Sequence, residues 1–104
     1  MHLYIGNKLY SSWSLRPWIA MTALGIPFEE TVIPLFDANF ADRISAISPA
    51  GLVPVLVVGD IKVWETLAIL EYLAETCRDK QMWPGDRQAR AHARAISAEM
   101  HAGF

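Results

Sequence analysis

The sequence predicts an α/β fold, and three observations carry that expectation. Apolar runs of strand length (Leu3 to Ile5, Phe28 to Ile33, Leu52 to Val58) are separated by segments with helical spacing of apolar residues. A two-residue turn, Gly59-Asp60, joins the third run to a fourth, Ile61 to Trp64, as a hairpin. A chain of 104 residues, 53% hydrophobic and 19% charged, is long enough for one compact core and too apolar for disorder.

Taken in order, residues 2 to 5 read as a central, buried strand of the parallel type, closed by Gly6-Asn7-Lys8. Next, Tyr10-Ser11-Ser12-Trp13-Ser14-Leu15-Arg16-Pro17-Trp18 hands the strand over to a helix, Leu15 to Leu24, with three hydroxyls at the handover. Helix N-termini expose N–H groups without intrahelical partners, and the dipole there favours negative charge. A hydroxyl so placed can donate to an anion or be stabilised as one, although a single serine suffices as an ordinary cap. The helix is expected to bury Leu15, Trp18, Ile19, Thr22 and Ala23, to tolerate Pro17 in its first turn, and to stop at Gly25 ahead of Pro27.

Phe28 to Ile33 reads as a second strand near an edge, ended by Pro34. Leu35 to Ser48 is an irregular stretch with one short helix, capped at Asp37 or Asn39. Ser48-Pro49-Ala50-Gly51 is a turn that delivers the chain into the third strand. A proline cannot donate to a sheet ladder, so Pro54 inside so apolar a run marks either a trans proline at the strand's first residue or a special, cis Val53–Pro54 peptide. The cis form is the expectation, because it would turn Val53's backbone groups toward a ligand instead of a neighbour.

Glu65 or Thr66 should cap the next helix, whose apolar stripe is Leu67, Leu70, Leu73, Ala74 and Cys77, broadened by Ile69 and Tyr72. Cys77 is thereby a small core residue and no nucleophile. Residues 79 to 85, with Pro84 and Gly85, form the clearest linker, and Asp86 caps a last helix. There Ala89, Ala93, Ile96, Met100 and Phe104 make one apolar stripe, with Arg87, Arg90, Arg94 and His101 on the far side. A stripe that ends on Met100 and Phe104 calls for a covering surface. A second copy, packed two-fold against this helix and the helix from Thr66 to Cys77, is expected to supply it.

Composition narrows the function classes. A formal charge of −2 offers nucleic acid no electrostatic footing, and the arginines of the last helix read as a solvated face. The single cysteine excludes an internal disulfide framework and a CxxC redox pair, and it fits a reducing compartment, with cytoplasm the default. No signal-like or membrane-spanning apolar segment is expected. The protein should be soluble.

Four motifs in register make the chain resemble the glutathione transferases. Ser11-Ser12-Trp13-Ser14-Leu15-Arg16 is similar to the serine motif of the zeta class and related bacterial enzymes, and Ser48 to Leu56 is similar to the family's cis-proline loop. Glu65-Thr66-Leu67-Ala68-Ile69-Leu70-Glu71-Tyr72-Leu73 resembles its acid-hydroxyl helix start, and Trp83-Pro84 its interdomain linker. The resemblance implies a thioredoxin-like βαβαββα domain with a mixed four-stranded sheet over residues 1–80, a linker at 81–85, and the first helix of an incomplete all-helical domain over 86–104. It implies glutathione as cosubstrate, no metal, a small electrophile as second substrate, and a homodimer.

Each motif suits that tripeptide thiol. Thr66 would donate its hydroxyl and N–H to the γ-glutamyl carboxylate while Glu65 accepts from the ammonium. Val53, ahead of Pro54, would present its backbone as an added β strand does. Ser11 would donate to the sulfur and lower its pKa, and Ser12 is the competing hydroxyl that spacing does not separate from it. By resemblance Arg16 supports the site or orients substrate, unless it is a solvated first-turn arginine, and Asn39 adds a polar contact.

Trp13 stands where zeta members often carry cysteine, so cysteine-assisted chemistry is not expected. The leading function is a glutathione transferase, with zeta-like double-bond isomerisation as a sub-case. Its rival is a non-catalytic glutathione-binding or interaction module, since most of the helical domain that builds the electrophile pocket has no counterpart here. A thioredoxin-type dithiol oxidoreductase fails on the absent CxxC.

Overall fold

The computed structural model describes residues 1–6, 12–34, 38–48 and 50–102, and of Ser12 the backbone only. Ser11, Asp37, Pro49 and Phe104 therefore lie outside the described residues. The elements are β1 (His2–Ile5), α1 (Ser12–Ala23), β2 (Glu29–Val32), α2 (Phe40–Ser45), β3 (Val55–Val58), β4 (Ile61–Trp64), α3 (Thr66–Thr76), a 3₁₀ turn (Arg78–Lys80) and α4 (Arg87–Ala102).

The sheet order is β2-β1-β3-β4, with β1 parallel to β2 and antiparallel to β3, and β3 antiparallel to β4. Parallel pairing demands a crossover, which α1 provides, whereas the β3–β4 hairpin closes in two residues because Gly59 adopts φ +59°. Central β1 buries Leu3 and Ile5 completely and leaves His2 and Tyr4 half-buried on its other face. Edge strand β2 carries exposed Glu29 and Glu30, charges that discourage pairing with another chain. Leu3, Ile5, Met21, Ile26, Leu56, Ile69 and Leu73 form the core cluster between the sheet and helices α1 and α3.

The ends of the helices follow local chemistry. Past α1, Gly25 at φ +68° donates to Thr22 O (3.3 Å) and Ile26 donates to Met21 O (2.9 Å), the paired bonds of a Schellman stop. At α4, Asp86 Oδ2 accepts from Ala89 N at 2.8 Å, the expected cap. Asn39 and Glu65 hold the cap positions of α2 and α3 but make no side-chain cap bond.

Three expectations about helix faces are corrected. α1 buries Ser14, Pro17 and Met21, while Ile19 is 49% exposed and Thr22 and Ala23 face solvent. The stripe is rotated because a serine and a proline, neither counted as apolar, point inward. α3 buries Thr66, Ile69 and Leu73, and leaves Leu67, Leu70, Ala74 and Cys77 half-buried at the flanks. On α4 the half-buried side is Arg90, Ala93, Ser97, Met100 and His101, and Ile96 is 53% exposed. That helix leans on α3 through Arg94 Nε, which donates to Glu71 Oε1 at 3.2 Å. Among the described residues no helix is long and apolar enough to cross a membrane.

Candidate functional site

Four segments converge at one end of the sheet: the start of α1, the loop before β3, the β4–α3 junction and the last turn of α4. Between them lies a cleft of about 260 Å³ lined by Trp13, Leu52, Val53, Pro54, Trp64, Glu65, Thr66 and His101.

The start of α1 is held by two hydroxyls with structural duties. Ser14 is completely buried and its Oγ accepts from Gly6 N at 3.1 Å, which ties the helix to the end of β1. Pro17 is the sixth residue of α1 and not in its first turn, so its missing N–H matters: the carbonyl of Trp13, four residues earlier, has no helical donor. Thr66 supplies one, its Oγ1 donating to Trp13 O at 2.8 Å. The expected hydroxyl donation from Thr66 to a ligand carboxylate is therefore not what this geometry offers. One hydroxyl has one proton, and it is committed to α1. What remains for an anion are the backbone N–H groups of the first turn of α3.

The β4–α3 junction is strained. Glu65 sits at φ +74°, ψ 127°, a conformation costly for a residue with a Cβ and common where a ligand site demands it. Its side chain reaches His101, with Oε2 3.1 Å from Nε2. In the loop before β3 the Val53–Pro54 peptide bond is cis. Val53 lies outside every ladder, and its N–H and C=O bond to no described residue. A free donor and a free acceptor beside a strand are a template for an extended peptide.

Of the sequence-predicted residues, Val53, Pro54, Glu65 and Thr66 are brought together. Arg16 stands behind Trp13, its guanidinium 4.0 Å from the ring centroid and its NH1 3.0 Å from Met100 Sδ, which removes the solvated reading of it. Asn39 does not line the cleft. Ser11 and the side chain of Ser12 fall outside the described residues.

His101 was expected on the far side of the last helix and instead faces the cleft, its ring edge-on to Trp13 at 5.1 Å and 75°. The helical spacing of Ala93, Ser97, Met100 and His101 carries this information once polar residues are admitted to the inner face. A larger groove, about 610 Å³, runs between α3, Trp83 and α4, but its arginines are engaged. Arg94 is on Glu71, and Arg90 NH1 donates to Gly85 O at 2.9 Å. The smaller cleft has the unspent backbone groups and the strained acid, so we assign the site there. Among the described residues no group of His, Cys, Asp and Glu could hold a metal ion.

Comparison with known proteins agrees with this geometry. Residues 10–76 match the family model described as "Glutathione S-transferase, N-terminal domain". A probable maleylacetoacetate isomerase of Caenorhabditis elegans is 38% identical over 100 residues, covering 92% of this chain and 47% of that protein. Among solved structures, the holo form of maleylpyruvate isomerase, a bacterial zeta-class glutathione S-transferase, superposes with TM-score 0.82 at 31% identity, covering 94% of this chain and 46% of that one. A Burkholderia glutathione transferase homologue with bound glutathione gives TM-score 0.82 at 26% identity, covering 99% of this chain and 55% of that one. The chain thus spans about half the length of the curated relatives it matches. With residues 10–76, well over half of the chain, under the family model and the mixed α/β sheet that its structural neighbours share, the chain belongs to the glutathione S-transferase family.

Proposed function

We propose that this chain supplies the glutathione-binding and thiol-activating part of a glutathione transferase. The observation that carries the reading is the convergence in one cleft of Val53's unpaired backbone groups, the Glu65 carboxylate and the N-terminus of α3. The cysteinyl part of glutathione pairs with Val53 as an added strand. The γ-glutamyl carboxylate takes the free N–H groups at Thr66, where the helix dipole favours it, and the ammonium takes Glu65. Relatives named for glutathione chemistry, one of them solved with glutathione bound, support the ligand.

Ser11 donates to the sulfur and stabilises the thiolate, with Ser12 as the competing donor, while Arg16 holds Trp13 and the approach to the sulfur. Asn39, which lines no part of the cleft, is given no role in holding glutathione. The thiolate then attacks a small electrophile, so that with an aromatic halide a C–S bond forms and halide leaves. Relatives named maleylacetoacetate isomerase favour double-bond isomerisation as the sub-case. We read residues 1–80 as the glutathione domain, 81–85 as its linker and 86–104 as the opening of a helical domain, in a cytoplasmic protein.

Retention on immobilised glutathione, followed by a conjugation assay with an aromatic halide, tests the reading. Retention with turnover is expected. Retention without turnover supports a binding module, and no retention overturns the glutathione assignment.

A further inference from the structure

We infer that His101, from the last turn of α4, is a positioning residue that holds Glu65 in the orientation needed to take the ligand's ammonium. The inference rests on the reading of the cleft as a glutathione site, and adds a residue to it from outside the α/β layer.

Glu65 is a poor receptor if left alone. Its side chain is 53% exposed, it makes no cap bond, and a free glutamate samples many rotamers that binding would have to quench. His101 removes that freedom beforehand: Nε2 lies 3.1 Å from Oε2, and Oε1 has no partner among the described residues. One carboxylate oxygen is clamped and the other is left open. The clamp is itself held, because the imidazole sits edge-on to Trp13, and Trp13 also carries over its ring the guanidinium of Arg16, whose NH1 reaches Met100 next to His101. Trp13 is also fixed through its carbonyl by Thr66, the neighbour of Glu65. The contacts close a ring: Glu65 to His101, His101 to Trp13, Trp13 to Thr66. A carboxylate oxygen only accepts, so in this contact Nε2–H is the donor. Binding at the α/β layer is thereby coupled to the seating of α4.

Two substitutions separate positioning from packing. Phe at position 101 keeps a ring against Trp13 and loses the donor, whereas Gln keeps an N–H donor at the reach of Nε2 and loses the ring. Calorimetric titration with glutathione is expected to show His101→Gln within about twofold of the unsubstituted chain and His101→Phe about three- to tenfold weaker, the range of one partly exposed charge-assisted hydrogen bond. In a Glu65→Gln background, His101→Phe should cost less than about twofold, since the effect passes through the carboxylate. Equal affinity of His101→Phe and the unsubstituted chain overturns the inference, as does an equal loss in both variants or an undiminished loss in the Glu65→Gln background. If the unsubstituted chain binds glutathione and only these comparisons fail, the glutathione site stands without His101. If it does not bind glutathione, both readings fall.

Discussion

Thr66 is where the fold and the cleft share an atom. Its hydroxyl serves a carbonyl that Pro17 cannot serve, so Thr66→Ala should leave a part-buried acceptor without its donor and lower stability by about 1 kcal/mol. Replacing Pro17 with alanine restores an N–H four residues from Trp13. In that background the cost of Thr66→Ala should shrink, and denaturant unfolding of the four proteins checks it. Costs that simply add would show that the hydroxyl does not serve that carbonyl. Because the N–H groups of α3 survive, Thr66→Ala is expected to keep glutathione affinity within a few-fold by calorimetry. Ser11→Ala should likewise spare affinity but raise the bound thiol's pKa toward the free value of about 8.5, read by spectroscopic titration of the thiolate. A raised value in Ser12→Ala and an unchanged one in Ser11→Ala would transfer the role to Ser12.

The helices end where short-range chemistry tells them to, and their ends respond separately. Nothing stands within 4 Å of a Cβ built on Gly25, so Gly25→Ala meets no clash and its cost is that of the left-handed backbone, about 1–2 kcal/mol in thermal unfolding. Asp86→Ala removes the cap of α4 and should cost about 0.5–2 kcal/mol. Hydrogen exchange should then quicken at the amides of Ala89 and Arg90 and stay unchanged at Met100 and His101. The far end is held independently by Arg16 and Glu65. Faster exchange along all of α4 would mean that the helix melts as one unit and that those contacts do not anchor it.

At the scale of the whole molecule, several large apolar residues remain exposed: Ile96 on α4, Leu52 by the cleft, and Ile61 and Trp64 on edge strand β4. We expect a second copy to pack against α3 and α4, seen as concentration-dependent self-association in sedimentation with added hydrogen-exchange protection at Ile96. A dilute monomer with well-protected amides from Ala89 to Met100 would show that α3, Trp13 and Glu65 support α4 unaided.

The strand order along the chain, the hairpin at Gly59-Asp60, the stop at Gly25 and the cap at Asp86 are legible in the residues, because each depends on neighbours within a few positions. The proline in an apolar run marks Val53 and Pro54 locally, whereas Glu65 and Thr66 read from the residues alone only as a helix cap, and their ligand roles come from the resemblance to the family. Which way each helix turns is not legible from apolar spacing, since Ser14, Pro17 and Thr66 are buried for their hydrogen bonds and ring shape and not for hydrophobicity. Thr66's hydroxyl depended on a carbonyl 53 residues earlier, and His101's direction on a carboxylate 36 residues earlier. Such pairings have no period and no composition. They exist only once the sheet has set α1, α3 and the end of α4 around one cleft, and packing, not propensity, chooses which polar groups meet there.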